Sequence, residues 1–111
     1  MKIDFQSSKL ARIFNSEKEL KRNYIAPQAN KIKMRMGTLK AVSNLDEVPK
    51  LPPDRCHPLK GDRDGQFAVD LVQPFRLIFK PKGITPLKAD KSVDLTKVTE
   101  ITILGVENYH D

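Results

Sequence analysis

The chain has 111 residues, 39% hydrophobic and 31% charged, with 20 lysines and arginines against 14 acids and a net charge of +6. That length predicts one domain, residues 1–111, whose modest core folds without disulfides or metal, and no apolar run approaches the roughly 20 residues of a membrane-spanning helix. The single cysteine, Cys56, excludes an internal disulfide; with an N-terminus that lacks a signal-peptide pattern, it leads us to expect a reducing, cytoplasmic setting.

In chain order, Ile3 and Phe5 alternate around Asp4 as a short first strand. Ser7 and Ser8 are helix N-caps, followed by Leu10, Ile13 and Phe14 at helical spacing. Ser16 and Glu19 form a capping box for a second helical piece, with Leu20 and Tyr24 on its apolar face. Pro27 suits the first turn of a third helix, in which Ala29, Ile32, Met36 and Leu39 recur at steps of three and four. Lys31, Lys33, Arg35 and Lys40 are expected on its opposite side, and the helix is expected to reach about Asn44. Pro49, Pro52 and Pro53 mark a loop. Residues 55–60 read as an extended piece, because Pro58 forbids helix. Residues 61–65 are a turn. Phe67, Val69 and Leu71 alternate with Ala68, Asp70 and Val72, and Phe75, Leu77 and Phe79 alternate with Arg76, Ile78 and Lys80, which predicts a hairpin. Residues 81–97 read as a long excursion, and residues 98–106 as the last strand. The plan is α+β, with N-terminal helices packed on one face of a mainly antiparallel sheet.

Positive charge is concentrated toward the N-terminus. From Lys18 to Lys40 there are seven basic residues against one acid, Glu19. Such a field attracts polyanions, without by itself separating RNA from DNA, a membrane surface or an acidic protein. A solvated helix face would carry the same charges.

One cysteine and two distant histidines make no recognised metal spacing, and no phosphate loop or dinucleotide fingerprint is present, so no metal or cofactor is expected. The histidines, His57 and His110, are the side chains best suited to exchange protons near neutral pH. RNA offers a reaction that needs little else. Its 2′-hydroxyl attacks the adjacent phosphorus when a base takes the proton, an acid protonates the leaving 5′-oxygen, and cations such as Arg76 stabilise the phosphoryl oxygens. Alternation places Arg76 away from the core side defined by Phe75 and Leu77. Tyr109 is able to stack on a base. From these residues alone, a binding module with a basic helix serves equally well.

Two blocks of sequence add to this reading. Residues 56–69, which run Cys-His-Pro-Leu-Lys-Gly-Asp-Arg-Asp-Gly-Gln-Phe-Ala-Val, resemble the His-Pro-Leu-Lys-Gly-Asp-Arg-x-Gly-Gln segment of HigB-type killer proteins of the RelE/ParE superfamily. Residues 74–79 resemble that family's Trp/Phe-Arg-x-x-Phe strand, and the ending Glu107-Asn108-Tyr109-His110 resembles its acidic-Tyr-His close. The resemblance implies a RelE-like fold and a ribosome-dependent, metal-independent mRNA endoribonuclease, the toxin of a type II toxin–antitoxin pair. It implies a helix-turn-helix antitoxin of the HigA type as partner, with operator DNA bound only through that antitoxin. Carried over residue by residue, His57 and His110 take the proton-transfer roles, Arg76 the phosphate charge, and Tyr109 stacking or positioning. Asn108 stands where the family usually carries aspartate, which leaves open a degenerate member that binds without cleaving. Lys31, Lys33, Arg35, Lys40, Lys60 and Arg63 are expected to contact RNA.

Overall fold

Two serines start the first helices. Ser7 Oγ accepts from Leu10 N at 3.1 Å and opens α1 (Ser8–Phe14), and Ser16 Oγ accepts from Glu19 N at 3.2 Å and opens α2 (Glu17–Asn23). Pro27 occupies the first turn of α3 (Ala26–Ala41). That helix ends three residues before the expected Asn44. Asn44 instead accepts from Asp46 N at 3.0 Å and starts a short 3-10 turn, Leu45–Glu47, so its side chain competes with helix continuation. The computed structural model describes residues 1–108; Tyr109, His110 and Asp111 lie outside the described residues.

The strands are β1 (Lys2–Phe5), β2 (His57–Pro58), β3 (Phe67–Asp70), β4 (Phe75–Pro81) and β5 (Glu100–Asn108). They form a five-stranded sheet in the order β1-β5-β4-β3-β2. Only the β1–β5 pair is parallel; the other three pairs are antiparallel. The extended piece expected over residues 55–60 shrinks to two paired residues. Arg55 leaves the strand region with a φ of 47°, and Pro58 brings no N–H to the ladder. The last strand begins two residues later than expected because Val98 closes a 3-10 turn, Leu95–Lys97, whose N-cap Asp94 accepts from Thr96 N. The excursion between β4 and β5 folds back on itself, with a bridge between Leu87 and Val93 and a bond from Lys88 N to Ser92 O of 2.8 Å.

The three helices pack on one face of the sheet. Ile32 and Leu39 of α3 are fully buried in one cluster with Phe67, Val69, Leu77, Phe79, Ile101 and Ile103. Burial of each such large side chain stabilises the fold by about 1.5–3 kcal/mol. A smaller cluster, Leu59, Ala68 and Ile78 with Leu104 against it, lies on the other face. No helix among the described residues is long and apolar enough to cross a membrane.

One irregularity decides which residues of β5 face which way. Ile78 pairs with Gly105 and Phe79 with Ile103, so Leu104 is an extra residue in β5. A regular strand continuing from Ile101 and Ile103 would turn residues 105 and 107 to the helices. The bulge reverses this parity: Val106 joins the helix-side core, Glu107 pairs with Arg76, and Asn108 pairs with Phe75. Gly105 takes a φ of 144°, which favours glycine. Gly105→Ala is therefore expected to cost about 1 kcal/mol or more, read as a melting temperature lower by ~4–8 °C.

Candidate functional site

The face of the sheet away from the helices gathers the charged residues. His57 on β2 pairs with Ala68, and Asp70, two residues further along β3, pairs with Arg76 on β4, which in turn pairs with Glu107 on β5. With strands about 4.8 Å apart and about 3.3 Å per residue, the His57 and Arg76 backbones are on the order of 12 Å apart. An arginine side chain and one phosphate group span such a gap.

Asp70 organises the centre of this face. Arg55 donates to it through both Nε, at 2.8 Å, and Nη2, at 3.1 Å, and Arg76 Nε lies 3.4 Å from Oδ1. Both Asp70 and Arg76 are only 8% exposed. Two guanidinium groups converge on one carboxylate, in a setting less screened than open water. Arg76 thus lies where alternation predicted, on the face opposite Leu77, and it is held in an ion pair rather than reaching into solvent.

His57 is oriented by the backbone. Its Nδ1 lies 2.7 Å from the carbonyl oxygen of Arg55. A carbonyl only accepts, so Nδ1 carries the proton and, in the neutral ring, the lone pair is at Nε2. Nε2 is buried and has no hydrogen-bond partner among the described residues. The carbonyl that fixes this tautomer belongs to Arg55, whose φ of 47° is costly for a side-chain-bearing residue, by ~1–2 kcal/mol. Arg55 is kept there by its two bonds to Asp70 and by its own N–H, which donates to Leu51 O at 3.0 Å. Local backbone strain of this kind concentrates at functional sites.

Beside His57 in sequence, burial pushes the Cys56 thiol up to about 12, with Lys50 opposing and Asp54 adding to the rise. The thiol therefore stays protonated at neutral pH. Native Cys56 is expected to react with a maleimide at pH 8 ~1000-fold more slowly than an ordinary cysteine and at the ordinary rate after unfolding, followed by mass spectrometry.

Arg63 closes the far end of the face. It donates from Nη1 to Glu107 Oε2 at 2.7 Å and from Nη2 to Glu107 Oε1, and Nη1 also reaches Gln66 Oε1 at 3.3 Å. This fork ties the turn after β2 to the end of β5. The Arg63 hydrogen bonds hold the Glu107 carboxyl below its ordinary value of 4.5, against a smaller opposing effect of burial. A depressed carboxylate stabilises the fold above its ordinary value and loses that contribution as pH falls through the lowered one. The tie is therefore complete at neutral pH and opens only on acidification below about 4.5.

Several expected site residues are placed differently from the sequence reading. Asn108 is turned from the His57 and Arg76 face by the bulge and is exposed opposite Phe75. The β5 carboxylate that faces Arg76's side of the sheet is Glu107, which strand alternation alone would have directed to the core. Tyr109 and His110 lie outside the described residues.

Arg35 needs the largest correction. Expected on the solvent side of α3, it is 3% exposed, with Nε donating to Asp70 O at 2.6 Å and Nη2 to Pro53 O at 3.1 Å, and Nη1 3.9 Å from Asp54 Oδ1. It buttresses the two segments that carry Asp70 and Arg55, and it is not a surface contact for RNA. Its helical position lies next to Met36 and one turn from Ile32 and Leu39, which carries it under the sheet edge.

Lys31, Lys33 and Lys40 are on the outside of α3, where Lys33 bonds to Glu17 Oε1 at 2.7 Å. That helix covers the face opposite His57, so these lysines are separated from the candidate site by the sheet. Lys60 is exposed on the β2 side, next to the turn of Arg63.

Asp70 and Arg55 were missed as site residues. A carboxylate inside an apolar strand was the available signal, because such a group is rarely buried without a cationic partner. Among the described residues no group of three or more His, Cys, Asp or Glu is placed to hold a metal ion.

No protein-family model matches the chain, and no curated protein matches it. Among solved structures, a YoeB/ParE toxin from Agrobacterium tumefaciens is similar at a TM-score of 0.58 and 15% identity, over 99% of this chain and 100% of that one. The chain therefore has the α+β fold of a YoeB/ParE-type toxin, three helices on a five-stranded, mostly antiparallel sheet.

Proposed function

We propose that this chain is the toxin of a type II toxin–antitoxin system and cuts messenger RNA on the ribosome. The observation that carries the reading is His57, whose Nδ1–H is spent on the Arg55 carbonyl, leaving the Nε2 lone pair on the sheet face that holds Arg76. The whole-chain likeness to a YoeB/ParE toxin supports the toxin class, and the sequence blocks around His57 and Arg76 support the HigB branch.

In the reaction, His57 Nε2 takes the 2′-hydroxyl proton. The 2′-oxygen bonds to phosphorus, and the P–O5′ bond breaks. The 5′-oxygen receives a proton from an acid, the role expected of His110. Products are a 2′,3′-cyclic phosphate and a 5′-hydroxyl, and no redox partner or metal enters the balance. Arg76 stabilises the phosphoryl oxygens by exchanging part of its ion pair with Asp70 for the phosphate. The exposed lysines Lys33, Lys40 and Lys60, with the partly exposed Lys31, serve docking on ribosomal and messenger RNA, and Tyr109 positions a base. The partner is a helix-turn-helix antitoxin of the HigA type, through which alone operator DNA would be bound, and the setting is the cytoplasm.

A second reading has one observation in its favour. Asn108 supplies no carboxylate and faces away from His57, as in a family member that binds RNA or an antitoxin without cleaving. Induced expression in a bacterial host separates the two. Growth arrest by the wild type, relieved by His110→Ala, supports cleavage. A folded wild type that leaves growth unaffected supports the binder.

A further inference from the structure

A second concavity lies on the helix side, at the end of the sheet that carries Asn108. It encloses about 450 Å³ and is lined by Tyr24, Ile25, Gln28, Val72, Phe75 and Val106. We propose that this cavity is a nucleobase-binding site, in which a base stacks against the rings of Tyr24 and Phe75 and accepts a hydrogen bond from Gln28.

The apolar walls come with a built polar handle. Gln28 is 6% exposed, and its Oε1 accepts from Val72 N at 2.9 Å. A backbone N–H only donates, so this bond fixes the amide: oxygen toward Val72, and Nε2 with its two hydrogens left over. Nε2 has no hydrogen-bond partner among the described residues. An amide donor without a partner among the described residues, on a side chain that lines a largely apolar recess, suits a flat group that carries acceptors at its edge. The two rings differ in how much they are already committed. Tyr24 packs edge-on to Phe14 with centroids 6.5 Å apart, whereas Phe75 remains 38% exposed with no ring partner among the described residues. Gln73, on the rim, is exposed and has no side-chain hydrogen bond among the described residues. A half-exposed ring beside free amides is how proteins hold unstacked bases, by stacking first and edge bonding second.

The place of the cavity fits the route of a strand of RNA. Phe75 and Arg76 are consecutive, one directed to the cavity and the other to the phosphate-binding face. A nucleotide chain passing the end of the sheet would set a phosphate at Arg76 and an adjacent base at Phe75. Asn108, exposed opposite Phe75, adds an amide able both to donate and to accept at the same end. The asparagine is then a base-edge contact instead of a failed carboxylate. The choice of a base as occupant rests on the RNA reading above; the geometry of the cavity does not.

The test is an NMR titration of the isotope-labelled full chain with adenosine, guanosine, cytidine and uridine in turn. For at least one nucleoside, the Gln28 side-chain amide and the Phe75 ring signals are expected to shift saturably, with a Kd on the order of millimolar. Phe75→Ala, a change at a half-exposed residue, is expected to weaken that binding at least about fivefold while the rest of the spectrum is kept. Absence of saturable shifts at Gln28 and Phe75 for all four nucleosides overturns the proposal, as does a Phe75→Ala chain that binds as tightly as the wild type. Nucleosides contain no phosphodiester, so the outcome is independent of cleavage. Binding by a chain that cuts no RNA keeps this site and removes the nuclease reading; cleavage without nucleoside binding does the reverse.

Discussion

His57→Ala is expected to reduce ribosome-dependent mRNA cleavage by ~10²–10⁴-fold, the usual contribution of a positioned proton-transfer group. The loss should appear in single-turnover rates at saturating ribosomes, because the substitution removes the proposed base and leaves Arg76 and its partner Asp70 in place. The melting temperature should change little. His57 sits in a two-residue strand and, among the described residues, makes one side-chain hydrogen bond, to its own neighbourhood at Arg55. Cleavage kinetics and thermal denaturation on the same preparation check both halves. Retention of more than a tenth of the rate by a folded His57→Ala chain would remove His57 from the chemistry. His57→Asn is a useful companion, since its amide can still bond to the Arg55 carbonyl but offers no comparable base.

The second large effect concerns stability rather than chemistry. Arg35→Ala is expected to cost about 3–5 kcal/mol, because it strands the Asp54 carboxylate and two backbone carbonyls, of Asp70 and Pro53, in a buried setting. At ~4–8 °C per kcal/mol for a domain of this size, the melting temperature should fall by ~12 °C or more. Arg35→Met is expected to recover part of the loss by refilling the volume, though the carbonyls stay unpaired. Differential scanning calorimetry on the three chains tests this, and a fall of less than ~2 °C for Arg35→Ala would show that the buttress is dispensable. Reversing the charge of an exposed helix residue such as Lys40 should leave the melting temperature within ~3 °C. The contrast separates a buried structural arginine from the surface lysines with which the sequence had grouped it.

Helical spacing identified Ile32, Met36 and Leu39 as the buried stripe of α3, and strand alternation identified the Phe67 and Phe75 hairpin, because both signals come from regular burial of one face. The same logic failed where regularity fails. Arg35 belongs to the polar residues by type, yet its long side chain reaches buried carbonyls that are distant in sequence, and no local pattern reports such partners. Glu107 and Asn108 exchange faces because one inserted residue at Leu104 shifts the parity of β5, an event that alternation cannot register. Asp70 was visible as a carboxylate inside an apolar strand, but its two arginine partners come from separate elements. The segment around His57 was legible as a motif; the feature that gives it chemical meaning, the Arg55 carbonyl fixing the ring's proton, depends on a left-handed backbone turn that no residue type announces.

These misplacements have one consequence for the chemistry. The candidate site, as built from His57, Arg55, Asp70, Arg76, Arg63 and Glu107, carries its carboxylates paired with arginines, so among these residues the base without a hydrogen-bond partner in the described structure is the imidazole. The direct measurement is therefore the chemical form of the RNA ends left after the purified chain acts on messenger-programmed ribosomes. Attack by the 2′-hydroxyl predicts a 2′,3′-cyclic phosphate on the upstream fragment and a 5′-hydroxyl on the downstream one, absent with His57→Ala. Intact messenger with a folded wild-type chain, or fragments ending in a 3′-hydroxyl and a 5′-phosphate, would contradict the account.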